Sequence, residues 1–360
     1  MHVPDGFIDA PVSAATGVVA AAAVAVSLRG ARRELDERTA PLAGLVAAFI
    51  FAVQMLNFPV AAGTSGHLLG GALAAILVGP YTGVLCVSVV LIMQAVLFAD
   101  GGLTALGVNI TNMAVVTVIV AYVLFRLLLR VLPNGRTSLT VASFVAALIS
   151  VPAAAVAFTG MYALGGTADV AIGKVLVAMG GVHVLIGIGE AAITAATVAA
   201  VAAVRPDLVH GAKGLVKPLE IRTADGVTEV MPASAPASAP ASASASGKPR
   251  RLLLAGVLVS LVLAGGVSFY ASANPDGLEK VATDKGMDKN EKDHATKDSP
   301  LADYSTKDVD NERLSGGLAG VIGVAATLAV GSGVFVVVRR RKGAAAAASV
   351  PQEPLPAGQD

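Results

Sequence analysis

The chain has 360 residues, of which 55% are hydrophobic and 14% charged, where a soluble domain carries about 25% charged residues; an ordinary water-soluble fold is excluded. A formal net charge of +1 offers no basic surplus for nucleic acid, and the single cysteine, Cys86, rules out both an intrachain disulfide and a thiolate metal cage. Cys86 itself lies in an apolar run and reads as a small core residue.

The N-terminal leader, Met1 to Asp9, is short and acidic. A secretory signal opens on basic residues, so this leader is expected to stay on the protein. Beyond it, apolar runs at about 11–28, 41–60, 67–79, 81–98, 108–131, 138–163, 172–204, 252–271 and 316–338 read as membrane-crossing helices, a span needing about 20 apolar residues. Gly79-Pro80 divides the third run from the fourth, because proline lacks an amide donor and fits poorly inside a helix. Nine crossings result, with that at 67–79 short. Small residues dominate the runs and tryptophan is absent; small side chains let helix backbones approach closely in lipid.

Lysine and arginine set the orientation. Clusters follow the first run (Arg29, Arg32, Arg33, Arg38), the fifth (Arg126, Arg130, Arg136), the seventh (Arg205, Lys213, Lys217) and the ninth (Arg339 to Lys342), and another precedes the eighth (Lys248, Arg250, Arg251). With the N-terminus outside, every cluster falls on the cytoplasmic face, and residues 1–10, 61–66, 99–107, 164–171 and 272–315 fall outside. The expected fold is all-α, a polytopic membrane helical bundle. About seven spans fill residues 1–210. A cytoplasmic linker over 211–250 holds a Pro-Ala-Ser tract, Pro232 to Gly247, that cannot build a core. A two-span helical pair occupies 251–342, and 343–360 is an Ala- and Pro-rich tail expected to be disordered.

Met1 and His2 can form a ready chelate. The terminal amine, the His2 backbone nitrogen and the His2 imidazole close fused rings on one metal, which must displace the amide proton. A plane of four nitrogens favours Ni(II) or Cu(II) over tetrahedral zinc. Alone, a histidine at position two reads more simply as a solvated side chain; a further donor changes that balance. His67 stands at the outer start of the short third run, beside Gly63, Gly66, Gly70 and Gly71, which leave room for another backbone. Ionisable residues at membrane depth are functional candidates, although His67 also reads as a hydrogen-bonded interfacial histidine. An extended leader reaches about 30 Å, far enough to bring His2 to His67.

Asn109 and Asn112 lie at another outer loop and helix start. They either orient the histidines from behind or cap a helix. His183 and Glu190 are seven apart and share a helix face, as a proton or metal relay or as a structural hydrogen bond. His210 and His294 lie in polar segments and are expected to be solvated. No phosphate loop occurs: Gly173-Lys174 is followed by Val175 and position 168 is alanine.

Met1-His2-Val3-Pro4-Asp5-Gly6-Phe7 and Gly63-Thr64-Ser65-Gly66-His67-Leu68-Leu69-Gly70-Gly71 resemble the two signatures of CbiM/NikM-type proteins, the substrate-capture components of energy-coupling-factor importers for cobalt and nickel. The stretch Gly101 to Met113 resembles a third block, and Asn274-Pro275-Asp276-Gly277-Leu278-Glu279 resembles the PDGLE domain, fused or separate in such systems. Over about residues 1–210 the resemblance implies a seven-span bundle, with metal held by the Met1 amine, His2 and His67. It implies a Co(II) or Ni(II) cargo that feeds cobalamin biosynthesis or nickel enzymes, and no resident cofactor. The implied partners are a transmembrane coupling protein and ATPase subunits, and the implied location is the bacterial plasma membrane. Two rival readings are a proton-coupled secondary metal transporter, in which Glu190 or Asp100 carries protons, and an intramembrane metalloenzyme using His183 and Glu190.

Overall fold

The structure is a computed structural model, which describes residues 1–36, 39–61, 63–212, 219–222, 228–231 and 249–348. The first helix, α1, spans Ala10–Glu34. Asp9 caps it, its carboxylate accepting Val12 N–H at 2.9 Å, and Pro11 suits the first turn, where no amide partner is needed. Helix α2 (Thr39–Gln54) ends well before the apolar run does. Phe58–Ala61 (β1) instead pairs antiparallel with Thr64–Gly66 (β2). Pro59 withdraws a donor and Gly63, at φ 75°, supplies the left-handed turn. The expected crossing at 41–60 is thus a shorter helix followed by a hairpin.

The third run also differs. Helix α3 (Gly71–Val78) has eight residues, all buried, and rises about 12 Å, well under the hydrocarbon thickness of a bilayer. Gly79, at φ 98°, breaks it from α4 (Pro80–Leu97) as the Gly-Pro pair implies. The next span is α5 (Leu106–Asn109), a π-helical turn over Ile110–Val116, and α6 (Thr117–Val131). Helices α7 (Arg136–Gly165) and α8 (Ile172–Val204) form a long hairpin. A two-stranded ladder, Leu219–Arg222 (β3) with Thr228–Met231 (β4), falls within the linker; the Pro-Ala-Ser tract and the tail beyond 348 lie outside the described residues. The C-terminal part is α9 (Pro249–Gly265), a short 3-10 turn, α10 (Gly277–Lys285) and α11 (Glu312–Ala348).

Among the described residues, seven helices are long and apolar enough to cross a membrane, while α2, at 16 residues, is shorter. Exposed Val18, Ile119 and Val177 leave α1, α6 and α8 with apolar outer faces, as contact with hydrocarbon requires. The C-terminal pair packs on α2 through small residues. Gly44 of α2 meets Ser332 of α11, Gly323 of α11 leaves space for Phe51, and Gly256 of α9 leaves space for Leu45. The two parts of the chain therefore share one core, and the loop between α9 and α11 lies over the end of the first part that carries the N-terminal leader.

Candidate metal centre

Strand β2 delivers His67, and the four residues His67 to Gly70 run into α3. This loop is clamped from two helices. Leu69 N–H and Gly70 N–H donate to the Glu190 carboxylate of α8 at 2.7 and 3.1 Å, and Leu69 C=O accepts from Gln54 Nε2 of α2 at 3.0 Å. Glu190 has no exposed surface. His67 Nδ1 lies 3.0 Å from its neighbour's carbonyl, Leu68 O, so Nδ1 is the donor and Nε2 keeps its lone pair.

The leader folds back into the bundle to meet it. Met1 is 2% exposed, and its nitrogen lies 2.7 Å from His67 Nε2. Two nitrogens at that spacing fit adjacent corners of a site with bonds of about 2.0 Å. His2 stacks on His67, with ring centroids 5.0 Å apart and planes at 20°. Its Nδ1 faces Asp100 Oδ1 at 3.2 Å and its Nε2 faces Gln94 Oε1 at 3.1 Å. Burial lowers the His2 pKa to about 4, against a weaker opposite pull from Asp100, so the ring is neutral at pH 7, as metal ligation demands.

The leader is held by its backbone. Asn109 Oδ1 accepts Val3 N–H at 2.8 Å and its Nδ2 donates to Val3 O at 3.1 Å. The Asp5 carboxylate accepts Thr104 N–H at 2.7 Å, Thr104 O–H at 2.5 Å and Leu103 N–H at 3.2 Å. Asn109 therefore grips Val3 rather than the histidine rings, and Asn112 reaches Met1 Sδ at 3.6 Å. His183 and Glu190 share the buried face of α8 but act separately: His183 Nδ1 lies 2.7 Å from Met179 O, and its Nε2 has no partner among the described residues. His294, expected to be solvated, is half-buried, its Nε2 3.3 Å from Gly101 O.

The sequence reading missed Asp276. This residue caps α10 in a capping box: Oδ1 accepts Glu279 N–H at 2.8 Å, and Glu279 Oε2 accepts Asp276 N–H at 3.2 Å. Its second oxygen, Oδ2, lies 2.6 Å from the Met1 ammonium and 3.5 Å from His67 Nε2. Burial alone would raise its pKa; the adjacent Met1 ammonium outweighs that and holds it well below the carboxylate range. The segment is docked on β2 by Ser65 N–H to Pro275 O at 2.8 Å and Ser65 O–H to Asn274 O at 2.7 Å. Gly277 has no room for a side chain, since a Cβ would lie 2.8 Å from Val182 Cγ1 and 2.9 Å from Ile186 Cδ1.

His2, His67 and Asp276 each offer an atom within 4.8 Å of the others. A cavity of about 570 Å³ opens beside them, lined also by Asp100, Asp303 and Tyr304. Burial and the neighbouring Asp100 push the Tyr304 phenol well above its ordinary range, so it stays protonated. Neutral imidazoles, an amine and a carboxylate suit a late first-row divalent ion.

Residues 2–208 match the family model described as cobalt uptake substrate-specific transmembrane region, and residues 250–340 match the PDGLE domain. Over 209 residues the chain is 42% identical to a protein of Haloquadratum walsbyi named for metal transport, covering 58% of this chain and 93% of that one. Over 211 residues it is 40% identical to a protein of Archaeoglobus fulgidus named for fused nickel transport, NikMN, covering 58% and 68%. A crystal structure described as a transition metal transporter superposes with a TM-score of 0.50 at 29% identity, over 57% of this chain and 93% of that one.

Proposed function

The chain belongs to the family of cobalt uptake substrate-specific transmembrane regions, here joined to a PDGLE domain, and from that membership we propose that it captures extracytoplasmic Ni(II) or Co(II) and passes it across the plasma membrane as the substrate-specific part of an ATP-driven energy-coupling-factor importer. The chain is a multi-pass membrane transport component rather than an enzyme. The observation that carries the reading is the meeting of the Met1 nitrogen and His67 Nε2 at 2.7 Å beneath the stacked His2 ring.

The amine, the His2 backbone nitrogen and His2 Nδ1 close two fused chelate rings, and His67 Nε2 completes a plane of four nitrogens. Binding displaces the ammonium and amide protons. Asp276, paired with the ammonium in the ion-free protein, is left facing the cation and offsets part of its charge. Residues 1–10 face outward, with the basic clusters inside. The chain carries no phosphate loop, so separate ATPase subunits and a transmembrane coupling protein supply the work. Glu190, the proton carrier of a secondary transporter, is engaged by two backbone amides, which supports an anchoring role instead.

The test is metal analysis of purified protein under competing nickel and cobalt. One ion per chain is expected, and none in His67→Ala at equal membrane insertion. Undiminished metal in that variant overturns the chelate.

A further inference from the structure

Asp276 touches the donor groups directly, but the C-terminal part reaches the centre a second time, through Tyr304. The Tyr304 hydroxyl donates to Asp100 Oδ2 at 2.6 Å, because a carboxylate only accepts. The phenol has a single proton, so its oxygen accepts from Gln94 Nε2 at 2.9 Å. With its nitrogen committed there, Gln94 turns Oε1 toward His2 Nε2, 3.1 Å away. That contact is a hydrogen bond only if Nε2 carries the ring proton. A neutral imidazole has one N–H, so Nδ1 then holds a bare lone pair. Nδ1 is the ring nitrogen that closes the small chelate ring with the His2 backbone.

We propose that Tyr304 is a positioning residue that fixes the tautomer of His2 through Gln94, leaving Nδ1 as the donor for a divalent transition-metal cation; this rests on the capture reading above. The opposing pull is plain. Asp100 Oδ1 lies 3.2 Å from Nδ1 and favours a proton on it, which blocks chelation. That tautomer sets the bare Nε2 against Gln94 Oε1. Turning the Gln94 amide cures the clash only by setting Oε1 against a phenol oxygen whose proton is already given to Asp100. The polarity of the relay, started at Asp100 Oδ2, thus opposes the tautomer that Asp100 Oδ1 favours.

The placement of Tyr304 is built rather than incidental. Its ring stacks on Phe98 at 4.9 Å and 21°, and Asp303 N–H donates to Phe98 O at 2.9 Å. Asp303 and Tyr304 hold φ of 52° and 54°, a left-handed backbone that side-chain-bearing residues adopt at a cost. Those two residues turn the chain so that the phenol points down between Asp100 and Gln94.

The experiment uses the full chain in detergent. Nitrogen-15 spectra of metal-free protein, with the His2 signals identified by their loss in His2→Ala, read the tautomer. The proton is expected on Nε2 in the unaltered protein and to shift toward Nδ1 in Tyr304→Phe, which keeps the ring and its stacking. Nickel affinity, by competition with a chelating dye, is expected to fall about tenfold in Tyr304→Phe, the lower end of effects at groups that orient metal ligands. In a Gln94→Glu background the carboxylate accepts the Nε2 proton whichever way it turns, so Tyr304→Phe is expected to cost under about twofold. A proton on Nδ1 in the unaltered protein, an unchanged tautomer in Tyr304→Phe, or an affinity loss that persists with Gln94→Glu overturns the relay. If the unaltered protein binds neither nickel nor cobalt, the capture reading fails, while the tautomer spectra still decide the relay.

Discussion

Adding one glycine before Met1 tests the centre at its most exacting point. The Met1 nitrogen is enclosed, with its residue 2% exposed, and it faces both Asp276 Oδ2 at 2.6 Å and His67 Nε2 at 2.7 Å. The extension turns that nitrogen into a neutral amide. It removes one partner of an ion pair whose side chains are 1% and 17% exposed, a change that costs about 3–5 kcal/mol for a fully buried pair. The residual exposure of Asp276 places the expected cost at the lower end, about 3 kcal/mol, or roughly a hundredfold in the population of the docked leader. The metal also loses a nitrogen donor, and His2 moves out of the second position, so the fused rings cannot form. Nickel and cobalt affinity is therefore expected to fall by at least about a hundredfold. Dye competition on the extended protein, against protein tagged after Asp360, measures it at matched expression. Equal affinity in the two forms would show that the amine is no ligand and that the site lies elsewhere.

His67→Ala is expected to abolish bound metal while membrane insertion persists, read by metal content and membrane fractionation. Glu190→Ala orphans the buried amides of Leu69 and Gly70, at about 1–3 kcal/mol each, so a lower melting temperature and weaker metal binding are expected, with Glu190→Gln intermediate. The His2 pKa of about 4 lies below the unfolded value near 6.5, so the unfolded state binds more protons between them and the docked leader loses stability as pH falls through that window. The protection factor of the Val3 amide, taken relative to its slower intrinsic exchange at low pH, is expected to fall from pH 7 to pH 5; an unchanged protection factor refutes the sign. A reporter fused after Lys285 is expected to read outside the cytoplasm, and a cytoplasmic signal reverses the topology.

Much of the fold was legible because hydrocarbon imposes a simple rule, and every apolar run contains a helix of the structure. The hairpin over 58–66 escaped because Phe58, Val60 and Ala61 extend the apolar run without a change of period, so only Pro59 and Gly63 marked the break. The proposed donors at positions 1, 2 and 67 were suggested by the chelating chemistry of the leader together with the family resemblance, and the structure brings those three residues together. Asp276 was not, since Asp-Gly-Leu-Glu before a helix reads locally as a capping box, which it also is. Its contact with Met1 spans 275 positions, beyond any local pattern. Asn109 showed its location but not its object, because a carboxamide grips a backbone and a ring with the same two groups.

The packing of α9 and α11 on α2 has a consequence for how the centre responds to gene dosage. Because one chain carries both halves, the Asp276 segment meets the leader in an intramolecular encounter. Its local concentration is fixed by the covalent link between the two halves rather than by the abundance of either. Occupancy of the Met1 ammonium by Asp276 is then independent of expression level and identical in every molecule. Divided into two polypeptides, the same surfaces would associate by mass action, and a shortage of the smaller piece would leave a fraction of centres without their carboxylate. Fusion converts a titration between subunits into a constant of the fold.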